Sequence, residues 1–231
     1  MDERKLWFLT GNAGKLREAS HLFATLGYEV LPFSTADETA EIVEPQSDSL
    51  EVVANSKLDQ AWTQLVFLGL AEDSLLVEDS GLFIDHLGGF PGVYSATILA
   101  QIGLEGILKL LAGQVSEDPL QTMRLRAAEF RCCASVWNGR EVLSGSGVCR
   151  GYISLEAGGS EGFGYDPIFI PLDVDDEGSS LDFGAEGLHS TAGLTFGEIP
   201  LQQKQMFSHR AEAMKQVCKQ LLATSSAPPS A

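Results

Sequence analysis

The chain has 231 residues, of which 44% are apolar and 20% charged, a composition typical of a globular mixed fold rather than a disordered segment. Its formal net charge of −17 argues against binding to the nucleic-acid backbone, where affinity comes from clustered lysines and arginines. A protein this acidic can handle phosphate only by gathering its few cations or by using a metal ion.

The compartment is indicated by the first residues and by the cysteines. The start, MDERKLWFLT, is apolar over too few residues for a secretory signal or a membrane span. The four cysteines form no CxxC pair and have no zinc-site spacing, which favours a reducing environment. We therefore expect a soluble, cytoplasmic protein that binds no membrane.

The first elements predict a βα unit. Residues 6–10, LWFLT, form a short apolar strand, and GNAGK turns the chain into a helix that ends at Gly27. Residues 28–33, YEVLPF, follow as a second strand. The turn TGNAGK places backbone N–H groups and Lys15 at a helix N-terminus, which suits an anion, although a plain tight turn explains it equally well.

The second helix carries a lysine on its apolar side. Asp48 and Glu51 resemble a capping pair, and the helical pattern continues to about Leu65. Lys57 falls in the middle of the apolar face. Either its stem lies along the apolar surface with the ammonium in water, or the charge has a partner.

The strand at residues 75–84, LLVEDSGLFI, carries acids in an apolar run. Alternation puts Glu78 and Ser80 on one face and Asp79 on the other, and Gly81 is expected to break the strand and expose the acids at its carboxyl end. A carboxylate pair at that edge suits a hard cation such as Mg²⁺. The alternative is a strand end whose acids simply face water.

The second half of the chain predicts a mixed sheet. A helix is expected near residues 95–112, two strands at 125–137 and 141–153 joined by a turn at Asn138 and Gly139, and a final helix at 208–222. Residues 172–193 lack periodicity and are predicted to be a surface excursion. We expect one α/β domain over residues 1–223, with helices flanking the sheet and a disordered tail at 224–231.

Four motifs in order carry a resemblance: TGNAGKLRE, VEDSGLFIDHLGGFPGVYSA, GFGYDP and KQMFSHR. Together they resemble the Ham1 family of inosine triphosphate pyrophosphatases. The resemblance implies an elongated, two-lobed α/β fold with a long curved mixed sheet, an active-site cleft between the lobes, and a homodimer. It also implies Mg²⁺-dependent conversion of ITP, dITP and XTP to the monophosphate and pyrophosphate, with Mn²⁺ as the alternative metal.

The resemblance also implies roles for individual residues. The triphosphate is expected to contact the turn and one further lysine: Thr10, Gly11, Asn12, Ala13, Gly14, Lys15 and Lys57. The metal is expected at Glu44 and Asp79, with Asp79 and Lys15 catalytic and with Glu78 and Ser80 beside the substrate. The base is expected to be held by Phe163, Gly164, Tyr165 and Asp166 and recognised by Lys204, His209 and Arg210.

Two departures from the family pattern concern the pocket. The chain has YSATIL where some members carry a basic residue after the GxPGxY loop, and its 172–193 excursion is longer than expected. Two other functions stay open at this point. One is a Maf-like pyrophosphatase acting on other bases, although the arginine-containing turn of those enzymes is missing after LWFLT; the other is a nucleotide sensor without catalysis.

Overall fold

The computed structural model describes residues 4–33 and 42–225. The strands are β1 (Arg4–Leu9), β2 (Tyr28–Phe33), β3 (Ser74–Ile84), β4 (Pro91–Gly92), β5 (Ala127–Trp137), β6 (Val142–Ile153) and β7 (Phe169–Pro171). The helices are α1 (Ala13–Ala24), α2 (Leu50–Phe67), α3 (Ser95–Leu110), α4 (Pro119–Leu125), α5 (Leu201–Lys204) and α6 (His209–Ser225). None of the helices in these ranges is both long and apolar enough to cross a membrane.

The seven strands form one sheet, and its predicted mixed character is confirmed, although β4 and β7 were not predicted. Its order is β2-β1-β3-β5-β6-β7, and β4 pairs with β3. The β1–β2 and β1–β3 pairs are parallel, whereas β3–β4 and β6–β7 are antiparallel. The predicted turn between β5 and β6 is present: the Asn138 side chain accepts hydrogen bonds from two backbone N–H groups, and Gly139 has a φ of 90°.

The chain divides into two compact units. The first unit comprises Met1–Asp79, Cys132–Gly147 and Arg210–Ala231, and the second comprises Ser80–Arg131 and Val148–His209. Each has its own apolar core. The first core includes Leu6, Phe8, Phe23, Leu76, Val136 and Val217. The second includes Leu82, Ile107, Phe130, Ile153, Phe169 and Phe196.

Helix boundaries differ from the predicted ones in two places. The predicted cap at Asp48 is wrong, because the side chain of Ser49 accepts the hydrogen bond from Val52 N and begins α2. At the other end of the chain, α6 continues to Ser225, two residues into the predicted tail. Residues 226–231 lie outside the described part, so the disorder predicted there stays a prediction.

The four cysteines are free and buried. Burial is the main cause of a raised pKa for each thiol, to about 11 for Cys133 and Cys218. Such thiols stay protonated near neutral pH and are poor nucleophiles.

Gly81 lies where β3 passes the Pro91–Gly92 strand. A Cβ at this position would lie 2.1 Å from the Gly92 carbonyl oxygen and 3.1 Å from Ser95 Oγ, so no side chain fits without backbone movement. We expect Gly81→Ala to lower the free energy of unfolding by about 3 kcal/mol, the upper end of ordinary overpacking costs. Chemical denaturation measures the loss.

Gly113→Ala is the matched control for this substitution. No atom would lie within 4 Å of the added Cβ at this exposed position. Its effect should stay within about 0.5 kcal/mol. Equal stability losses for both variants would contradict the steric explanation.

Candidate active site

Glu78 and Asp79 are buried in the interior of β3, so the predicted strand break at Gly81 is wrong. The strand continues to Ile84, and the two acids are only 4% and 8% exposed. Ionised carboxylates leave water at a cost of several kcal/mol unless they are paired, so their partners decide what the pair does.

Glu78 contacts two cations on the first unit. Lys15 Nζ lies 2.7 Å from its Oε2, and Arg210 Nε donates to its Oε1 at 3.0 Å. Arg210 also donates to Glu18 Oε2 at 2.7 Å, and the Cys132 thiol donates to Glu78 Oε1 at 3.4 Å. Burial lowers the pKa of Arg210, but the two carboxylates raise it by more, so the guanidinium stays charged.

Asp79 contacts a different lysine. Lys57 Nζ donates to Asp79 Oδ1 at 2.8 Å, and it also lies 2.5 Å from Glu44 Oε1. The second oxygen, Asp79 Oδ2, is buried and has no hydrogen-bond partner among residues 4–33 and 42–225. The lysine on the apolar face of α2 is therefore an ion-pair partner, and one oxygen of Asp79 is left for a ligand.

The protonation of this pair is shifted by its surroundings. Burial raises the pKa of Asp79, and although Lys57 and Lys15 oppose the rise, the net pKa lies above the ordinary value. Burial lowers the pKa of Lys57, but Asp79 and Glu44 raise it by more. Asp79 is consequently a stronger base than an exposed aspartate, while Lys57 stays protonated.

The TGNAGK turn begins α1 with an internal cap. Asn12 Oδ1 accepts hydrogen bonds from Gly14 N at 2.8 Å and Lys15 N at 3.1 Å, and Thr10 Oγ1 accepts from Asn12 N. Three backbone donors of the turn are thus satisfied within the chain. The ammonium of Lys15, with a side chain 20% exposed, remains the main positive group there.

The second unit contains another buried ion pair, in the GFGYDP loop. Lys204 Nζ lies 2.8 Å from Asp166 Oδ2, which also accepts from Phe163 N at 2.7 Å. The same ammonium lies 4.7 Å from the centre of the Phe163 ring. Gly162 has a φ of 73°, and a Cβ on it would lie 2.1 Å from Asp166 Oδ2, so only glycine allows this turn to close on the carboxylate.

Two further predicted base-site residues are packed inside the second unit. Tyr165 is buried and donates its hydroxyl to the Ser95 carbonyl at 2.8 Å; burial raises the pKa of Tyr165 to about 12. His209 is buried with its ring stacked on Phe130, 4.8 Å between centres. Phe163 is the more exposed aromatic of the GFGYDP loop and is better placed to meet a ligand.

The predicted residues fall into both units. The first unit contains Thr10, Gly11, Asn12, Ala13, Gly14, Lys15, Glu44, Lys57, Glu78, Asp79 and Arg210. The second contains Ser80, Phe163, Gly164, Tyr165, Asp166, Lys204 and His209. Within the first unit, Lys15 contacts Glu78 and Lys57 contacts Asp79.

Glu18 was not identified as a site residue from the sequence. It is 6% exposed and holds Arg210, yet it was not singled out as a candidate. Helical spacing gave only a weak signal, because Glu18 lies at the edge of the apolar stripe of α1, whereas Lys57 lies in the middle of the apolar face of α2.

A cavity of about 620 Å³ in the second unit is lined by none of the predicted residues. Its buried cation is Arg126, whose guanidinium donates to the carbonyls of Leu111, Ile153 and Ser154 at 2.6–2.7 Å. These hydrogen bonds satisfy backbone carbonyl groups at the end of α3 and at the end of β6. Arg126 therefore has a structural function in this unit.

The first unit thus combines two lysines with a buried carboxylate oxygen, Asp79 Oδ2, to which no residue of the described ranges donates. Such an arrangement can bind a divalent cation and a polyphosphate together. Comparison with known protein families matches residues 6–220 to the Ham1 family, which is consistent with this class of site. The chain belongs to the Ham1 family.

Individual relatives cover nearly the whole chain. It is 37% identical to a dITP/XTP pyrophosphatase of Pyrococcus horikoshii, over 91% of this chain and 93% of the relative. It is 36% identical to a protein of the same name from Ignicoccus hospitalis, over 96% of this chain and 98% of the relative. Among solved structures, a HAM1 protein from Coxiella burnetii matches with a TM-score of 0.68 and 26% identity, covering 95% of this chain and 99% of that one.

Proposed function

We propose that the chain hydrolyses aberrant purine nucleoside triphosphates, ITP, dITP and XTP, to the nucleoside monophosphate and pyrophosphate. The observation that carries the proposal is the contact of Lys15 with Glu78 and of Lys57 with Asp79 in one unit. The relatives named dITP/XTP pyrophosphatase, matched over more than nine-tenths of the chain, support the same substrate class.

The metal expected from the resemblance fits the residues present. In the described ranges, no three histidine, cysteine, aspartate or glutamate side chains are grouped closely enough to hold a metal alone. Magnesium needs only one or two protein carboxylates when phosphate oxygens complete its shell. Glu44 and Asp79 would hold it through carboxylate oxygens, and Asp79 Oδ2 is a buried oxygen to which no residue of the described ranges donates.

The mechanism follows from these side chains. Lys15 and Lys57 balance the charge of the triphosphate, and Asp79 accepts a proton from the water that attacks the α-phosphorus. The new bond joins the water oxygen to the α-phosphorus, and the bond to the bridging oxygen breaks, so that pyrophosphate leaves. Bound Mg²⁺ supplies Lewis-acid polarisation of the phosphate oxygens.

We attribute selection of the base to Lys204 and Phe163 in the second unit. The ammonium of Lys204 can only donate hydrogen bonds, so it favours the 6-keto oxygen of hypoxanthine or xanthine over the 6-amino group of adenine. The pairing of Lys204 with Asp166 holds this donor beside Phe163, whose ring can stack on a base. Sites built on such hydrogen bonds reject a mismatched analogue by roughly 10⁴-fold or more.

A homodimer and a cytoplasmic location belong to the same proposal. Apolar side chains on and next to α3 are partly exposed: Tyr94 by 48%, Ile102 by 40% and Leu110 by 50%. We assign these side chains as contacts of a second copy, which would cover their apolar surface. The free cysteines fit a reducing compartment.

A substrate panel tests the function. Purified protein is assayed with ITP, XTP, dITP, UTP, dTTP, GTP and ATP, with and without Mg²⁺, and both pyrophosphate and orthophosphate are measured. We expect pyrophosphate from ITP and XTP with a kcat/KM roughly 10⁴-fold above that for ATP. Preference for UTP or dTTP would support a Maf-like enzyme instead, and no turnover of any nucleotide would support a sensor.

A further inference from the structure

Lys57 occupies the two carboxylates that the proposed function assigns to the metal. Its Nζ lies 2.5 Å from Glu44 Oε1 and 2.8 Å from Asp79 Oδ1. The lysine side chain is 14% exposed and that of Asp79 11%, whereas Glu44 is 60% exposed. The ammonium therefore ties a solvent-exposed carboxylate, from the segment before α2, to a buried one on β3.

The ammonium contacts one oxygen of each carboxylate, Glu44 Oε1 and Asp79 Oδ1. A divalent cation on the other two oxygens would share both carboxylates with the ammonium, and like charges this close repel strongly in a partly buried site. Metal binding is therefore weakened while Lys57 stays on both carboxylates, and it strengthens when the ammonium moves away. Phosphate oxygens are the natural alternative partner for its ammonium, and the resemblance already assigns Lys57 to phosphate.

We propose that Lys57 is an internal counter-ion that holds Glu44 and Asp79 together in the nucleotide-free protein and competes with the divalent cation for them. Nucleotide removes this competition by drawing Lys57 onto its phosphates. The inference rests on the proposed function for the identity of the ligands, but the contact that carries it belongs to the protein alone.

Two consequences follow for binding. The free protein should bind a divalent cation weakly, because an ammonium already neutralises the two carboxylates and repels the cation. Metal and nucleotide should strengthen each other's binding, because coupling between two ligands is reciprocal. A lysine that only contacts phosphate would influence nucleotide affinity and leave metal binding to the free protein unchanged.

The test measures Mn²⁺ binding to the nucleotide-free protein by electron paramagnetic resonance, in which free Mn²⁺ is counted directly. Lys57→Gln should bind Mn²⁺ about tenfold or more tightly than the wild type, within the usual range of coupling between sites. Lys57→Arg retains the positive charge and should keep an affinity close to that of the wild type. Lys109→Gln is the matched control, since this lysine is 77% exposed and pairs with Glu105 on its own helix.

An unchanged or weaker Mn²⁺ affinity in Lys57→Gln would overturn the proposal, and so would an equal gain in Lys109→Gln. If circular dichroism shows that Lys57→Gln is unfolded, Lys57→Met provides the same comparison, because its unbranched side chain fills similar space without charge. The measurement needs no turnover. Tighter Mn²⁺ binding by Lys57→Gln, together with no pyrophosphate release from ITP by the wild type, would leave the counter-ion role standing and refute the proposed function alone.

Discussion

Replacing Asp79 with Asn is expected to lower kcat for ITP by on the order of 10²-fold or more, the size of effect that follows loss of a general base. The asparagine retains the shape of the side chain and can still accept a hydrogen bond from Lys57. It has neither the negative charge nor the basicity that burial confers on Asp79. The rate loss should therefore appear in kcat, measured as pyrophosphate release at saturating ITP and Mg²⁺.

Asp59→Asn is the control for this effect. Asp59 lies on the same unit, on α2, and is exposed to solvent, so the same chemical change is made outside the charged cluster. Its turnover should match that of the wild type. Near-wild-type turnover of ITP by Asp79→Asn, with correct folding shown by circular dichroism, would end the assignment of Asp79 as the base.

Replacing Lys204 with Met is expected to lower the free energy of unfolding by about 3–5 kcal/mol, the cost of leaving a buried charge without its partner. The lysine and Asp166 side chains are 3% and 5% exposed, and their contact is 2.8 Å long. In the variant the Asp166 carboxylate loses the ammonium and keeps the hydrogen bond from the Phe163 backbone. Urea denaturation measures the loss.

The double variant Lys204→Met with Asp166→Asn separates loss of the pair from loss of packing. Replacing both charges of a buried pair costs much less than replacing one, so the double variant should regain a large part of the lost stability. A double variant as unstable as the sum of the two single ones would show that the pair is not coupled, against the observed contact.

Much of the fold follows from local pattern. The strand and helix alternation, the turn at Asn138 and Gly139 and the apolar face of α2 were all predictable, because each depends on neighbours along the chain. The cap of α2 was misplaced by one residue since Asp48 and Ser49 are both good capping residues, and only the backbone geometry selects between them. The elongated two-lobed shape and its cleft stay predictions.

The site was partly predictable for a different reason. A charged residue in an apolar pattern is conspicuous, and Lys57, Glu78 and Asp79 were each recognised in this way. Their partners were not readable from local pattern, because Arg210 lies 132 residues from Glu78 and the contact forms only on folding. The expectation that the acids sit at an exposed strand end failed for the same reason: with partners in place, the strand runs on and the acids are buried.

The claim that water attacks the α-phosphorus is tested most directly by a single turnover in ¹⁸O-labelled water, followed by measurement of which product carries the label. Water activated by Asp79 attacks the α-phosphorus, so ITP should give labelled inosine monophosphate and unlabelled pyrophosphate, read by mass spectrometry. Label in pyrophosphate or in orthophosphate would place the attack on another phosphorus and contradict this account of the site.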